Sequence, residues 1–277
     1  MPPINPSAPL AHTHSDNTRL QHQLADRLYR ALRDGTVIDP LTSQHSLSLE
    51  DAYRISLQIM DRRQSDGETV IGKKIGVTSK PVQEMLGVHQ PDFGFLTDRM
   101  LFADASRISL TQANLIQPRA EGEIAFILKQ DLLGPGVTLD DVLRATEFVV
   151  PCFEIVDSRI KDWKIAIQDT IADNASCGVF VLGEQRISAA SLDLANVRLD
   201  MSRNGVLHSS GLGSAVQGHP AEAVAWLANT LGAFGMPLRV GEIILSGSLV
   251  PLVPVHAGDH FELTISDIGC ASIHFTD

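Results

Sequence analysis

The chain runs to 277 residues, 44% of them hydrophobic and only 5% aromatic, which is enough aliphatic material for one large core. A formal net charge of −11, with no block of Lys or Arg, argues against a nucleic-acid surface or an anionic-membrane patch and leaves small molecules and other proteins as expected partners. Three cysteines without a CxxC pair, no apolar run long enough to span a bilayer and no signal-like N-terminus predict a cytoplasmic protein with reduced thiols.

Residues 1–16 hold four prolines and no apolar period, which predicts a disordered extension in which His12 and His14 are tail residues rather than metal ligands. A helical region is expected over 17–68. Leu20, Leu24, Leu28, Ala31 and Leu32 form one stripe that stops at Gly35. Ser48 and Asp51 have the spacing of a capping box, opening a second helix that buries Ala52, Ile55 and Ile59 before Asp66-Gly67. The remainder, 69–277, reads as a β-rich catalytic domain.

The first strand of that domain is Val70 to Val77. By alternation Lys74 shares a face with Gly72 and Gly76, which leaves space around its amine, so it is a better candidate for chemistry than Lys73. A short helix capped by Ser79, with Pro81 in its first turn, ends near Gly87. Pro91 and Gly94 then bracket Asp92 in what reads as a tight turn, able to present its carboxylate at a site.

In Gln117-Pro118-Arg119-Ala120-Glu121-Gly122-Glu123-Ile124-Ala125-Phe126, strand alternation turns Glu121 and Glu123 to one face, roughly 6–7 Å apart. Unpaired burial of two like charges is costly, so either the face is a solvated edge or a hard divalent cation such as Mg²⁺ or Mn²⁺ lies between them. After a loop at Leu133-Gly134-Pro135-Gly136 and a helix over Leu139 to about Glu147, a strand places Val150, Cys152, Glu154 and Val156 on one face. Glu154 there supplies a third carboxylate and shifts the balance toward metal. Asp157 to Trp163, with Arg159, reads as a polar loop over a pocket. Thr170 to Gly178 is a run of small residues where chain and ligand can approach, with Asn174 as a turn residue.

Strands are expected over Val179–Leu182, Val197–Met201 and Val206–His208, the last two joined at Arg203-Asn204-Gly205. Ser210-Gly211-Leu212-Gly213 lacks the full GxGxxG and is no nucleotide loop. Gly218-His219-Pro220 opens a helix ending at Gly232. Strands follow from Glu242, interrupted by a Ser246-Gly247-Ser248-Leu249 turn whose amides and hydroxyls can serve a carboxylate. Helices early and short strands late predict an α+β fold, a mixed rolled β-structure with peripheral helices rather than a doubly wound sheet.

Taken together, Ile71 to Ser79, Gln90-Pro91-Asp92-Phe93-Gly94, Gln117 to Phe126, Ala172 to Gly178 and Ser246 to Leu252 closely resemble the 2-hydroxypenta-2,4-dienoate hydratases. These belong to the fumarylacetoacetate-hydrolase-like superfamily, and the resemblance extends from about Leu20 onward. It implies a fumarylacetoacetate-hydrolase-like mixed β-roll or barrel core. The implied activity is metal-dependent addition of water to 2-hydroxypenta-2,4-dienoate, giving 4-hydroxy-2-oxopentanoate in meta-cleavage degradation of aromatic compounds. It further implies Glu121, Glu123 and Glu154 as ligands of Mg²⁺ or Mn²⁺, and Lys74 and Asp92 as acid–base groups. Ser248, Asn174 and Arg159 are the expected substrate contacts. A homo-oligomer is expected, with possible association with the pathway decarboxylase or aldolase. The related 2-oxo-3-hexenedioate (4-oxalocrotonate) decarboxylases tend to carry Ala at Gly122, Ser-Thr at Cys177-Gly178 and a Gly-Gly-Ile-Thr-like stretch at Gly247 to Val250, where this chain sides with the hydratases. Decarboxylation, acylpyruvate hydrolysis and a non-catalytic partner subunit are the competing readings.

Overall fold

The computed structural model describes residues 10–277, with side chains from residue 17 onward. Of the disordered extension expected over residues 1–16, residues 1–9 and the side chains of 10–16, His12 and His14 among them, lie outside the described residues, while the backbone of 10–16 is helical. Helix α1 (Leu10–Asp34) begins earlier than the apolar period placed it and stops before Gly35, whose φ is +61°. Helix α2 (Leu49–Ser65) opens on the predicted capping box: Asp51 N–H donates to Ser48 Oγ at 3.1 Å, and Ser48 N–H donates to the Asp51 carboxylate at 3.0 Å. The same carboxylate accepts the Asn17 and Gln21 amides, which ties α1 to α2.

Strand β1 (Val70–Gly76) follows, then α3 (Lys80–Leu86), β2 (Asp92–Thr97), β3 (Leu101–Phe102), β4 (Ser106–Ser109), β5 (Arg119–Leu128), α4 (Leu139–Ala145) and β6 (Thr146–Val156). The chain continues through α5 (Ile167–Ala172), β7 (Cys177–Leu182), β8 (Arg198–Arg203), β9 (Val206–Leu212), α6 (Pro220–Gly232), β10 (Ile243–Leu245), β11 (Val253–Pro254), β12 (His260–Ile265) and β13 (Gly269–Thr276).

A mixed sheet runs β2-β1-β10-β5-β6-β7-β3, with β11 added beside β5, and a second sheet runs β4-β13-β12-β8-β9. Most pairs are antiparallel; β1 with β10, β3 with β7 and β4 with β13 are parallel. This is the rolled α+β architecture expected from the sequence. Alternation explains the packing. Ala120, Ile124 and Phe126 of β5, with Phe153 and Ile155 of β6, turn backward onto Phe261, Leu263, Ile273 and Phe275 of the second sheet, and Val224, Leu227 and Leu231 of α6 join this core. Phe153 and Phe261 meet edge to face at 6.4 Å. Burying each such ring contributes about 2–3 kcal/mol, so the back of β5 and β6 is firmly fixed. A smaller core joins α1, α2 and α5 through Leu24, Leu28, Ile55, Ile59, Ile167 and Ile171.

Local differences from the sequence reading have local causes. Asp92 opens strand β2, paired with Gly76 of β1, instead of sitting in a tight turn; the turn signals end at Pro91, and Gly94 masks the alternation of Phe93 with Phe95. The helix from Leu139 stops at Ala145 because Thr146 already joins β6. Ser210 to Leu212 extend β9, while the hairpin at Asn204-Gly205 forms as expected, both residues having positive φ. His219 caps α6, its Nδ1 accepting the Ala221 N–H. Strands β3 and β4 and helix α5 were not foreseen. No described helix is long and apolar enough to cross a membrane.

Candidate active site

The front face of β5 carries Arg119, Glu121, Glu123 and Ala125 in a row. In register beside them on β6 stand Val156, Glu154, Cys152 and Val150. Glu121, Glu123 and Glu154 thus converge, each offering a carboxylate oxygen within 4.8 Å of the others. Glu123 and Glu154 are fully buried and Glu121 partly so. Glu123 Oε2 accepts the N–H of Gly247 at 2.8 Å, but Glu123 Oε1 and both oxygens of Glu154 have no hydrogen-bond partner. Buried acceptors left this way are costly unless a cation satisfies them. The donor set, three hard oxygen ligands around one point, fits a divalent ion of the Mg²⁺ kind.

Lys74 reaches into the same space from β1, its Nζ 3.1 Å from Glu154 Oε1, an ion pair without hydrogen-bond alignment. Burial opposes its charge, but Glu154 and then Asp92 and Glu121 outweigh that and hold the ammonium well above its usual range. Lys73, on the other face, is paired with Glu242 at 2.6 Å, which separates the structural lysine from the site lysine. Asp92 is buried with Oδ1 unpartnered. Burial pushes its carboxyl up to about 6 against the opposing pull of Lys74, while burial and Glu154 push Glu121 up to about 8.

The glycines expected to clear space around Lys74 divide the work. A Cβ at Gly76 would collide with the Asp92 carboxylate and stand 3.3 Å from Lys74 Nζ, whereas one at Gly72 would collide with the backbone of Ile243 in β10. Gly76→Ala is therefore expected to displace Asp92, lowering turnover by more than about tenfold while costing no more than about 1–3 kcal/mol of stability. Steady-state kinetics beside thermal melting checks this; unchanged kcat would show that Asp92 tolerates the shift.

The remaining predicted contacts are hydrogen-bonded within the protein. Arg159 is buried with Nε on Asp173 Oδ1 at 2.6 Å and Nη1 on the Cys177 carbonyl at 2.9 Å. Asn174 donates to the Phe95 carbonyl and accepts the Phe95 N–H, pinning β2. Between them Asn174, Ala175 and Ser176 adopt left-handed backbone in succession, φ 54°, 51° and 53°, a conformation costing about 1–2 kcal/mol per residue. Arg159 and Asn174 thus secure a strained turn that sets Cys177 and β2 against the site. Ser248 Oγ donates to the Val250 carbonyl at 2.7 Å within its own turn. The amide of Gly247, in the turn expected to serve a carboxylate, does so for Glu123. The sequence does not single out Tyr53 of α2, which stacks on Phe93 at 4.4 Å and braces the strand bearing Asp92.

The profile of the fumarylacetoacetate (FAA) hydrolase C-terminal region matches residues 62–276. Among curated proteins, the chain is 65% identical to 2-hydroxyhexa-2,4-dienoate hydratase from Comamonas testosteroni over 95% of this chain and all of the relative. It is 60% identical to 2-hydroxypent-2,4-dienoate hydratase from Pseudomonas putida over 78% of this chain and 98% of that one. Among solved structures, 4-oxalocrotonate decarboxylase from Pseudomonas putida G7, complexed with magnesium and adipate, superimposes with a TM-score of 0.90 at 32% identity, covering 93% of this chain and 98% of that one. A glutamate cluster at the front of a rolled mixed sheet and a profile match across most of the chain define the class: this protein belongs to the fumarylacetoacetate hydrolase family. Within it, the high-identity relatives are dienoate hydratases.

Proposed function

We propose that the protein is a hydro-lyase that adds water to 2-hydroxypenta-2,4-dienoate or a close homologue, giving a 4-hydroxy-2-oxo acid in the degradation of aromatic compounds. The observation that carries this reading is the convergence of Glu121, Glu123 and Glu154 with Lys74 and Asp92, in a chain 65% identical to a hydratase of that substrate class. A hard divalent cation, Mg²⁺ or Mn²⁺, held by the three glutamates would supply Lewis-acid polarisation of the substrate's carboxylate and 2-oxygen. The chain's own groups manage protons. The 2-hydroxyl loses its proton as C5 gains one, giving the conjugated 2-oxo-3-enoate; water oxygen then bonds to C4 and a proton is delivered to C3.

Lys74, kept as an ammonium by its acidic neighbours, is the donor and charge holder in this scheme. Asp92, with one free oxygen and a carboxyl lifted to about 6, is matched to exchanging protons near neutrality and to orienting the attacking water. The apolar wall of Ala125, Val150, Cys152, Phe180 and Leu245 beside the cluster favours excluding bulk water. A cytoplasmic homo-oligomer, and association with the pathway decarboxylase or aldolase, belong to this proposal on the resemblance alone.

The test is the loss of the dienol's ultraviolet absorbance on mixing purified protein with freshly generated 2-hydroxypenta-2,4-dienoate, with Mg²⁺ or Mn²⁺ and with chelator. Cation-dependent decay yielding a product one water heavier is expected. Persistence of the dienol, with CO₂ released from 2-oxo-3-hexenedioate, would instead favour the decarboxylase reading that the structural similarity at 32% identity raises.

A further inference from the structure

Arg119 is the next side chain after Glu121 on the front row of β5, beside Val156 as Glu121 is beside Glu154. At about 3.3 Å per residue its Cβ stands roughly 6–7 Å from that of Glu121. Lys74 enters from the other end, since its register partner Leu245 lies beside Ala125. The glutamates are thus flanked along β5 by one cation at each end, but only Lys74 is paired with them. Among the described residues, the Arg119 side chain makes no ion pair and no hydrogen bond. Its one specific partner is the indole of Trp163, 4.5 Å from the guanidinium carbon to the ring centroid. This cation–π contact positions the guanidinium without using its N–H groups, which stay available to an anion.

That stacking partner is held at a cost. Asp162 and Trp163 both adopt left-handed backbone, φ 56° and 55°, which non-glycine residues do at about 1–3 kcal/mol each. Gln117, two residues before Arg119, secures the segment. Its side-chain amide donates to the carbonyls of Ser158 and Ile160, both at 2.9 Å. Its Oε1 accepts the Asp162 N–H at 2.8 Å, and its backbone carbonyl accepts the indole N–H at 3.0 Å. The lead-in to β5 therefore fixes the ring on which its own arginine lies. A strained, multiply bonded clamp around an otherwise unpaired cation beside an acidic cluster calls for an anionic occupant.

We propose that Arg119, placed over the ring of Trp163, is the anion-recognition residue of this site, binding the substrate's carboxylate so that its carbon chain extends past the glutamates toward Lys74. The inference rests on the 2-oxo-acid hydratase reading and adds an orientation to it. An anionic substrate must approach three glutamates and Asp92 in a chain of net charge −11, and a fixed guanidinium at the end of the row offsets that repulsion. Trp163 acts through Arg119 as a positioning residue.

The experiment is calorimetric binding of 2-oxopentanoate in Mg²⁺ to the unaltered full chain, Arg119→Gln, Arg119→Lys and Trp163→Leu, with 2-oxopentanamide as the uncharged control. Arg119→Gln is expected to weaken 2-oxopentanoate about tenfold and the amide little, with Arg119→Lys recovering part of the loss. Trp163→Leu should weaken binding by a smaller factor. In turnover, KM should rise by a larger factor than kcat falls, and the fall of kcat/KM between about 20 and 200 mM salt should flatten. Binding by the unaltered chain that Arg119→Gln leaves unchanged overturns the proposal alone. No 2-oxopentanoate binding by the unaltered chain overturns the hydratase reading as well.

Discussion

Glu154→Gln is expected to abolish cation-dependent turnover, by at least about a hundredfold, in a chain that still folds. Two effects of the one carboxylate combine. Neither Glu154 oxygen has a hydrogen-bond partner and Oε2 is in no ion pair either, so the carboxylate can serve a cation beside Lys74, whereas the amide offers only a neutral oxygen in the same volume. Glu154 is also the largest of the attractions that hold Lys74 charged against its burial, so its loss lowers the lysine's proton affinity and moves the pH profile as well as the rate. Glu123→Gln separates the two. Its side-chain oxygen can keep the Gly247 N–H bond, and Glu123 is not the partner of Lys74, so cation affinity should fall with less change in the pH profile. Mg²⁺ titrations followed by activity and calorimetry, with circular dichroism as the folding check, distinguish these outcomes. Near-normal kcat with an unchanged Mg²⁺ requirement in Glu154→Gln would remove it from the cation site.

The glutamates were legible because the relevant physics is local and periodic. A strand repeats every two residues, so Glu121 and Glu123 must share a face, and the same count places Glu154 on the face of its own strand. The Ser48–Asp51 box was legible for the same reason, its partners lying three residues apart. The glycines around Lys74 distinguish it from Lys73 in the sequence, and in the fold Lys74 turns to the glutamates while Lys73 pairs with Glu242, although only Gly76 clears the amine. Residues whose partners are distant in sequence were misread or missed. Arg159 in a polar loop looks like a substrate contact until Asp173 and the Cys177 carbonyl are found around it. Nothing in Asn174-Ala175-Ser176 requires positive φ, so that turn could not be read before the Arg159–Asp173 and Asn174–Phe95 bonds sustaining it were visible. The Ser246 to Leu249 turn reads in sequence as offering amides to a carboxylate, but that the carboxylate is Glu123 appears only when β10 lies beside β5.

In chelator, the chain should lose thermal stability as pH rises from about 5 to 9, and Mg²⁺ should restore progressively more of it toward the alkaline end. The sign follows from acids whose affinity for protons is raised by folding. Burial lifts Asp92 from its usual 3.8 to about 6, and burial with Glu154 lifts Glu121 from 4.5 to about 8. Such groups stabilise the fold fully below their unfolded values, and that stability is lost as pH rises through about 6 for Asp92 and about 8 for Glu121. Each unit of displacement corresponds to about 1.4 kcal/mol; because Glu121 is partly exposed and solvent screens it, the combined loss is on the order of a few kcal/mol. Cation binding runs in the opposite direction. It requires the carboxylates ionised and acts on the folded chain, so its stabilisation grows as protons leave. Melting curves at about pH 5.5, 7 and 8.5, with chelator and with Mg²⁺, should therefore diverge with pH. Curves in chelator that do not move with pH, and that Mg²⁺ leaves in place, would show that the three glutamates neither repel one another in the folded chain nor gather a cation.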